Sequence, residues 1–323
     1  MPDIPIWPQC NIGCVFCSNP TEGYRNTTEQ YSYEKIAEKI ERYKKGEKVF
    51  PKFNEVRDYI NITGGEPTIH PEFFKVLSLF RKEFPRILIR LLSNGRMFSY
   101  PEFAQKTLKV GFPPFEIAVP IFGYDPKSHE SISRTPGSFE QTVKGLENLF
   151  AYRSPAQKIE IRMILTKIQM RTLRPTLEFL LARFPDIDRI VFLFVEFEGF
   201  AAEFEDRLKF RIADAAAGLD ACYDLLVRFK DARMYHFPLC VVPPRLWPFV
   251  WRTLAPFKVT FTDDCKTQCA YKEHCVGIHR GYEKVMGTAD FVPVRVPLQG
   301  VTLSGDPYHP VASFSGGTAV EAA

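Results

Sequence analysis

The sequence has no membrane span. Its most apolar run, Ile190 to Val195, is six residues long, against the roughly 20 that a helix needs to cross a bilayer. It has no secretion signal, because no charged segment leading into an apolar stretch and a cleavage site opens it. It has no excess of one charge. The 42 Lys and Arg against 38 Asp and Glu leave +4 over 323 residues, too small and too evenly spread to recommend a nucleic acid. Neither basic clusters nor base-stacking motifs point to tRNA, and no internal repeat beyond an alternating strand–helix unit is visible. The expectation is a soluble, cytoplasmic globular chain with neither membrane nor nucleic acid as partner. Its 45% hydrophobic content can bury one large core or two modest ones. The 29 Phe suit a packed barrel or a lined cavity.

Cysteine, in contrast, is present in a pattern. Eight thiols without a secretion signal argue for metal ligation over disulfides. Cys10, Cys14 and Cys17 form one group, C-x3-C-x2-C. Cys240, Cys265, Cys269 and Cys275 form another, and Cys222 stands alone on an apolar helical stretch, where it reads as a buried free thiol. Three thiolates on a short loop can hold three irons of a [4Fe–4S] cube and leave the fourth open to a small molecule. Four can close a [4Fe–4S] cluster or a tetrahedral zinc, and spacing does not separate those two.

Between the groups, strands and helices alternate. Strands are expected at Asp3 to Pro8, Val56 to Thr63, Ile87 to Leu92, Phe115 to Ile121, Lys158 to Thr166 and Arg189 to Val195. Helices are expected at Tyr31 to Gly46, Pro71 to Phe84, Tyr100 to Val110, Phe139 to Tyr152 and Leu173 to Phe184. Six strands each followed by a helical stretch indicate a parallel α/β architecture. Beyond Glu196 the pattern changes: one long helix, or two joined at Gly218, over Arg207 to Asp231, then a strand-like Arg233 to Val242 carrying Cys240, then a proline- and tryptophan-rich short helix over Pro243 to Leu254. From about Val292 onward the composition reads as loop or disorder. The division expected is 1–200, 201–295 and 296–323.

Each unusual stretch falls at the carboxyl end of an expected strand, where parallel β/α barrels collect reacting groups. The cysteine loop, with Phe16 just before its third thiol, follows the first strand. Gly64-Gly65-Glu66-Pro67 follows the second and Ser93-Asn94-Gly95 the third. Together these resemble the signature of the radical S-adenosylmethionine (radical SAM) superfamily. The resemblance implies a partial (β/α)6 TIM-like barrel with a cysteine-rich C-terminal extension. It implies a SAM-binding [4Fe–4S] cluster on Cys10, Cys14 and Cys17, with Phe16, Gly64, Gly65, Glu66, Pro67, Ser93, Asn94 and Arg162 counted as cofactor-binding. Glu66 would meet the ammonium of the SAM methionine, and Arg162 either its carboxylate or an internal salt bridge. Where relatives carry a serine on the SAM ribose this chain has Pro120, so that contact falls to backbone or is absent. Ser138 is a candidate N-cap, and His129 reads as a structural hydrogen-bonding residue.

The position of Cys240, Cys265, Cys269 and Cys275 after such a barrel resembles the SPASM or Twitch extensions and implies a second, auxiliary [4Fe–4S] cluster. The implied chemistry is one-electron reduction by a donor such as flavodoxin or ferredoxin, cleavage of the sulfonium to a 5′-deoxyadenosyl radical, and oxidation of a substrate C–H bond. Pro120, the Pro238 to Pro248 segment and the C-terminal cysteines look similar to peptide maturases of the His-Xaa-Ser system, so a ribosomally made peptide is the favoured substrate. Only nine residues precede Cys10, with no leader-binding domain, which keeps a small molecule in cofactor or natural-product biosynthesis as the alternative. A non-catalytic zinc-binding module is the third reading; it predicts loss of a loop cysteine or of Glu66, and all are present.

Overall fold

The structure is a computed structural model and describes residues 3–19, 26–50 and 59–316. Eight strands form one parallel sheet in the order β1 to β8: β1 (Asp3–Trp7), β2 (Tyr59–Gly64), β3 (Leu88–Leu92), β4 (Phe115–Pro120), β5 (Gln157–Leu165), β6 (Arg189–Phe194), β7 (Ala232–Tyr235) and β8 (Val250–Trp251). Among the described residues β1 and β8 are the open edges of that sheet. Five helices link the first strands, α1 (Tyr33–Lys44), α2 (Phe73–Glu83), α3 (Pro101–Gly111), α4 (Pro126–Ser133) and α5 (Ser138–Tyr152), and a helix over Leu173–Arg183 joins β5 to β6. The α/β reading and the six expected strands therefore stand; residues 56–58 of the second lie outside the described residues. Two further strands, of four and two residues, extend the sheet.

The sheet has two unlike faces because side chains alternate along a strand. Ile89 and Leu91, Ile117 and Val119, and Ile159 and Ile161 are buried on one face and belong to the apolar core. The other face carries charge. Arg90 pairs with Glu116; Arg189 holds Glu116 at 2.9 Å and Glu160 at 3.1 Å; Asp231 closes on Arg189 at 2.8 Å. Arg162 donates through Nε to Glu160 at 2.6 Å. Burial alone would raise the Glu160 carboxyl, but Arg90, Arg162 and Arg189 outweigh it and hold it far below the ordinary range. Arg162 makes the internal salt bridge foreseen for it.

Four local expectations are corrected. Arg207 to Asp231 is not one helix, nor broken at Gly218. That glycine lies inside the helix Ile212–Asp220, and the breaks fall at Lys209–Arg211, after the short helix Glu205–Leu208, and at Ala221–Cys222, before the short helix Tyr223–Leu226. The strand at Arg233 stops at Tyr235, because His236 turns to a φ of 71° and Pro238 offers no N–H; Cys240 sits on the 3-10 turn Leu239–Val241. Gly137, at a φ of 75°, takes the N-cap of α5, leaving Ser138 as its first residue with its hydroxyl on Ser133 at 2.7 Å. The tail is not wholly irregular: β11 (Val301–Leu303) pairs antiparallel with β12 (Val311–Phe314), and His309 reaches the Pro248 carbonyl at 2.7 Å. Residues 317–323 lie outside the described residues. Preceding that hairpin, β9 (Val259–Thr260) and β10 (Ile278–His279) form another antiparallel pair. Among the described residues no helix is long and apolar enough to cross a membrane.

Candidate functional site

The cysteine loop follows β1 and is clasped from three sides by backbone. Gly13 and Val15 donate to the carbonyls of Ser133 and Ile132 at the end of α4, both at 3.0 Å. Gly65 N–H donates to Trp7 and Glu66 N–H to Gln9, both at 2.7 Å. Ala201 N–H donates to Cys17 at 3.1 Å from the segment after β6. The two glycines are needed for this closeness. A Cβ on Gly64 would stand 2.2 Å from the Trp7 carbonyl, and one on Gly65 equally close to that of Gln9. Their close approach is to the end of β1 and the two residues that lead from it into the cysteine loop.

Glu66 is buried and faces inward. Its Oε1 accepts from the Thr68 N–H at 3.0 Å, the Thr68 hydroxyl at 2.5 Å and the Ser93 hydroxyl at 2.8 Å; its Oε2 accepts from the Asn94 N–H at 2.6 Å. One carboxylate thus caps the turn Pro67–Ile69 and joins the ends of β2 and β3. Burial pushes its pKa up even so. Asn94 carries the connection onward, donating through Nδ2 to Asn11 at 2.6 Å and lying 3.9 Å from Cys10 Sγ. Arg96 reaches the Asn11 carbonyl and Gln141. Phe16 packs edge-on against Phe122, ring centroids 5.0 Å apart, and Pro67 is buried at the start of its turn. The sequence reading did not single out Asn11 and Arg96; an asparagine inside the thiol loop was the available signal.

His129 lies inside α4, its Nδ1 accepting from the Phe122 N–H at 3.3 Å. Burial pushes it down to about 4. A histidine held neutral in the fold contributes stability above its unfolded pKa, and that contribution is lost as pH falls toward 4. Over that window His129 accounts for about 3 kcal/mol. His129→Asn is expected to flatten this part of the stability–pH curve, read by urea melts at pH 7 and pH 5; parallel curves for both chains would contradict it.

None of the eight cysteines is in a disulfide. Cys240, Cys265, Cys269 and Cys275, up to 35 residues apart in sequence, line one small apolar cavity with Phe261, Tyr271 and Phe291. Thr262 caps the helix Asp263–Gln268 that presents Cys265, and Gly277, at a φ of 77°, turns its N–H to Cys275 Sγ at 3.4 Å. Burial, then the neighbouring Cys275, Cys265 and Cys269, drives the Cys240 thiol far above its ordinary range. Burial raises Cys275 too, against N–H donors from Gly277 and Leu239. Burial and the Glu66 carboxylate push Cys10 up to about 11. Crowded, dry thiols of this kind hold their protons until a metal displaces them. The donor sets fit iron–sulfur ligation: three soft ligands at a barrel rim and four around an apolar hollow. Cys222 is buried and free, apart from both groups.

A group absent from the sequence reading lies beyond β6. Glu196 and Glu198 share Lys258 at 2.9 and 3.0 Å, with His236 and His279 against them. Two acids at alternate positions after a barrel strand were the legible signal.

The mycofactocin maturase MftC of Mycobacterium tuberculosis is 27% identical over 154 residues, 47% of this chain and 34% of the maturase. The Mycolicibacterium smegmatis protein of the same name is 27% identical over 142 residues, 43% and 31% of the two chains. The chain thus aligns with about a third of the length of these relatives. Streptococcus suis SuiB bound to its precursor peptide SuiA superposes with a TM-score of 0.51 at 15% identity, covering 71% of this chain and 48% of that one; SuiB bound to S-adenosylmethionine gives 0.50 at 16%, covering 72% and 49%. These two superpositions bear on the fold alone. The model of the Radical SAM superfamily matches residues 4–180, from β1 through most of the helix after β5, and with more than half of its length so matched the chain belongs to the radical SAM superfamily.

Proposed function

We propose that the chain binds SAM at a [4Fe–4S] cluster held by Cys10, Cys14 and Cys17 and oxidises a C–H bond of a ribosomally made peptide. A second [4Fe–4S] cluster would sit in the cavity of Cys240, Cys265, Cys269 and Cys275. When bound, the first cluster and SAM supply a carbon radical able to take a hydrogen atom from an unactivated carbon. The protein's share is to place the reactants and exclude water. Gly64, Gly65, Glu66 and Pro67 would shape the methionine end of the SAM site, with Ser93 and Asn94 beside it, Phe16 walling it and Arg162 charging the sheet face below. A flavodoxin or ferredoxin is the class of electron donor this requires.

The observation that carries the reading is the gathering of the second four thiols around one hollow, in a chain that belongs to the radical SAM superfamily and carries a further three on one loop. A second redox centre has an obvious use if the net reaction is an oxidation. The peptide is supported by relatives named maturases and by the SuiB fold, seen with a precursor peptide. Anaerobic reconstitution is expected to load about eight irons per chain, and about four in Cys269→Ala. Cys269→Ala should still cleave SAM without coupling but form no product. Four irons with one zinc, or full turnover by Cys269→Ala, would remove the second cluster. Deuterium should pass from a labelled precursor peptide into 5′-deoxyadenosine; passage only from small molecules would overturn the substrate.

A further inference from the structure

The group beyond β6 is built from five charged or titratable side chains. Lys258 Nζ bridges Glu196 and Glu198; His279 Nε2 lies 3.4 Å from Glu198 and 3.9 Å from Glu196; His236 Nε2 lies 3.6 Å from Glu196. The two rings are nearly parallel, at 17° and 6.1 Å between centroids. Oxygens of Glu196 and Glu198 and a ring nitrogen of His279 fall within 4.8 Å of one another, a spacing that suits a divalent metal.

Proton placement argues against the metal. The Gly281 N–H donates to His279 Nδ1 at 3.1 Å, so Nδ1 carries a lone pair. A neutral ring then has its proton on Nε2, directed at the carboxylates and without a hydrogen-bonding partner there. A metal on that nitrogen would require an imidazolate, whereas metal-ligating histidines donate their other N–H outward. His236 is the reverse. Its Nδ1 lies 3.2 Å from the Phe194 carbonyl, which only accepts. Nδ1 therefore bears the proton, and the Nε2 lone pair faces Glu196 Oε1, a second acceptor. Two acceptors confront each other with no hydrogen between them. Two carboxylates and one ammonium leave a net charge of −1, and one added proton brings the group to neutrality.

The position gives this vacancy a use. The Glu196–Glu198 segment runs into Gly199, where a Cβ would stand 2.3 Å from the Asn19 carbonyl, and into Ala201, bonded to Cys17. His236 precedes Cys240 by four residues and His279 follows Cys275 by four. The group thus lies on segments that also carry Cys240 and Cys275 and that meet the first thiol loop through Ala201. His236 also holds a φ of 71°, a conformation non-glycine residues adopt at a cost and one that clusters at functional positions.

We propose that His236 Nε2 accepts the proton that the substrate loses on oxidation and hands it to Glu196 Oε1, 3.6 Å away, from which it leaves to water at the exposed end of the group, with Lys258 remaining an ammonium throughout. This rests on the oxidation proposed above. The substrate loses two hydrogens and two electrons: one hydrogen leaves as an atom to the SAM-derived radical, the other as this proton, while its electron goes to a one-electron acceptor of the iron–sulfur class. Glu198 is 40% exposed and Lys258 31%, so the outer end meets water. Burial pushes His236 down to about 4 against the pull of Glu196, with His279 and Lys258 lowering it further. The ring is therefore neutral at pH 7, with the Nε2 lone pair free, and does not keep a proton that it takes.

Ring-nitrogen NMR of the histidine-labelled full chain tests the placement without any cluster. His236 is expected as the Nδ1–H tautomer and His279 as Nε2–H, with Glu196→Gln lowering the His236 pKa and added Zn2+ or Mn2+ leaving both rings unchanged. The opposite tautomers, or metal-induced shifts abolished by Glu198→Gln, would overturn the proposal in favour of a metal. In the reconstituted enzyme, His236→Asn keeps a residue that tolerates the left-handed backbone. It is expected to cut product about a hundredfold while 5′-deoxyadenosine still forms, and His236→Gln should do the same. Undiminished product would overturn the relay; wild-type chain that cleaves no SAM would instead defeat the functional reading, with the tautomers still standing.

Discussion

Cys14→Ala is expected to lose SAM cleavage completely while the chain stays folded. The loop's shape does not depend on that thiol. Gly13 and Val15 on either side are anchored to the end of α4 through their own N–H groups, and Cys17 N–H donates to the Cys14 carbonyl at 3.2 Å, a backbone bond that alanine keeps. Cys14 is half-buried against the core, so truncation to alanine should cost about 1 kcal/mol and move Tm by a few degrees at most. The chemical loss is far larger. A cube held at three corners has no spare protein ligand, and removing one should leave about four irons per chain, those of the C-terminal site. Iron content, the visible spectrum and 5′-deoxyadenosine formation read the three consequences separately. Retained cleavage would refute the assignment of the loop; a collapsed Tm would show that the thiol is structural.

The contrast between backbone anchoring and side-chain chemistry also explains what the sequence made legible. Strands buried on both faces read as aliphatic runs, and Ile87 to Leu92 was found within one residue of β3. The same run hid its charge: Arg90 reads as an interruption, yet it sits in an ion network whose partners lie 26 and 70 positions away on β4 and β5. Strands β7 and β8 are too short to show a period. Helix α4 was missed because its signal is local, an Asp125–Ser128 capping box with Pro126 at the first turn. The motifs at the ends of β1, β2 and β3 were plain as spacing. What spacing did not reveal was that their glycines and Glu66 bind the loops to one another. Of the group beyond β6 only Glu196 and Glu198 stand close enough in sequence to be legible; His236, Lys258 and His279 come from distant segments that only the fold brings to them.

Glu66→Ala is the substitution expected to unsettle the first site most without touching a thiol. Alanine would leave the Thr68 and Asn94 N–H groups buried with no acceptor and two hydroxyls without their present one. A stranded buried donor costs about 1–3 kcal/mol. The hydroxyls can turn to other acceptors but the two amides cannot, so a loss of about 3 kcal/mol is expected. For a chain of 323 residues that is on the order of 4–5 °C in Tm. The effect should spread to the thiols, because the segment Glu66 anchors carries Asn94, which holds Asn11 and lies beside Cys10. Iron loading at the first site should fall while that at Cys240, Cys265, Cys269 and Cys275 persists, giving between about four and eight irons per chain. Glu66→Gln should fall between wild type and alanine, since its amide nitrogen must face an N–H where a carboxylate oxygen accepted before. Thermal melts with an iron count separate this role from the ammonium contact that the superfamily resemblance implies. If Glu66→Ala kept its Tm and its iron but bound SAM weakly, the carboxylate would serve the ligand first and the loops second; a lower Tm and partial iron, before any SAM is added, would establish the reverse order.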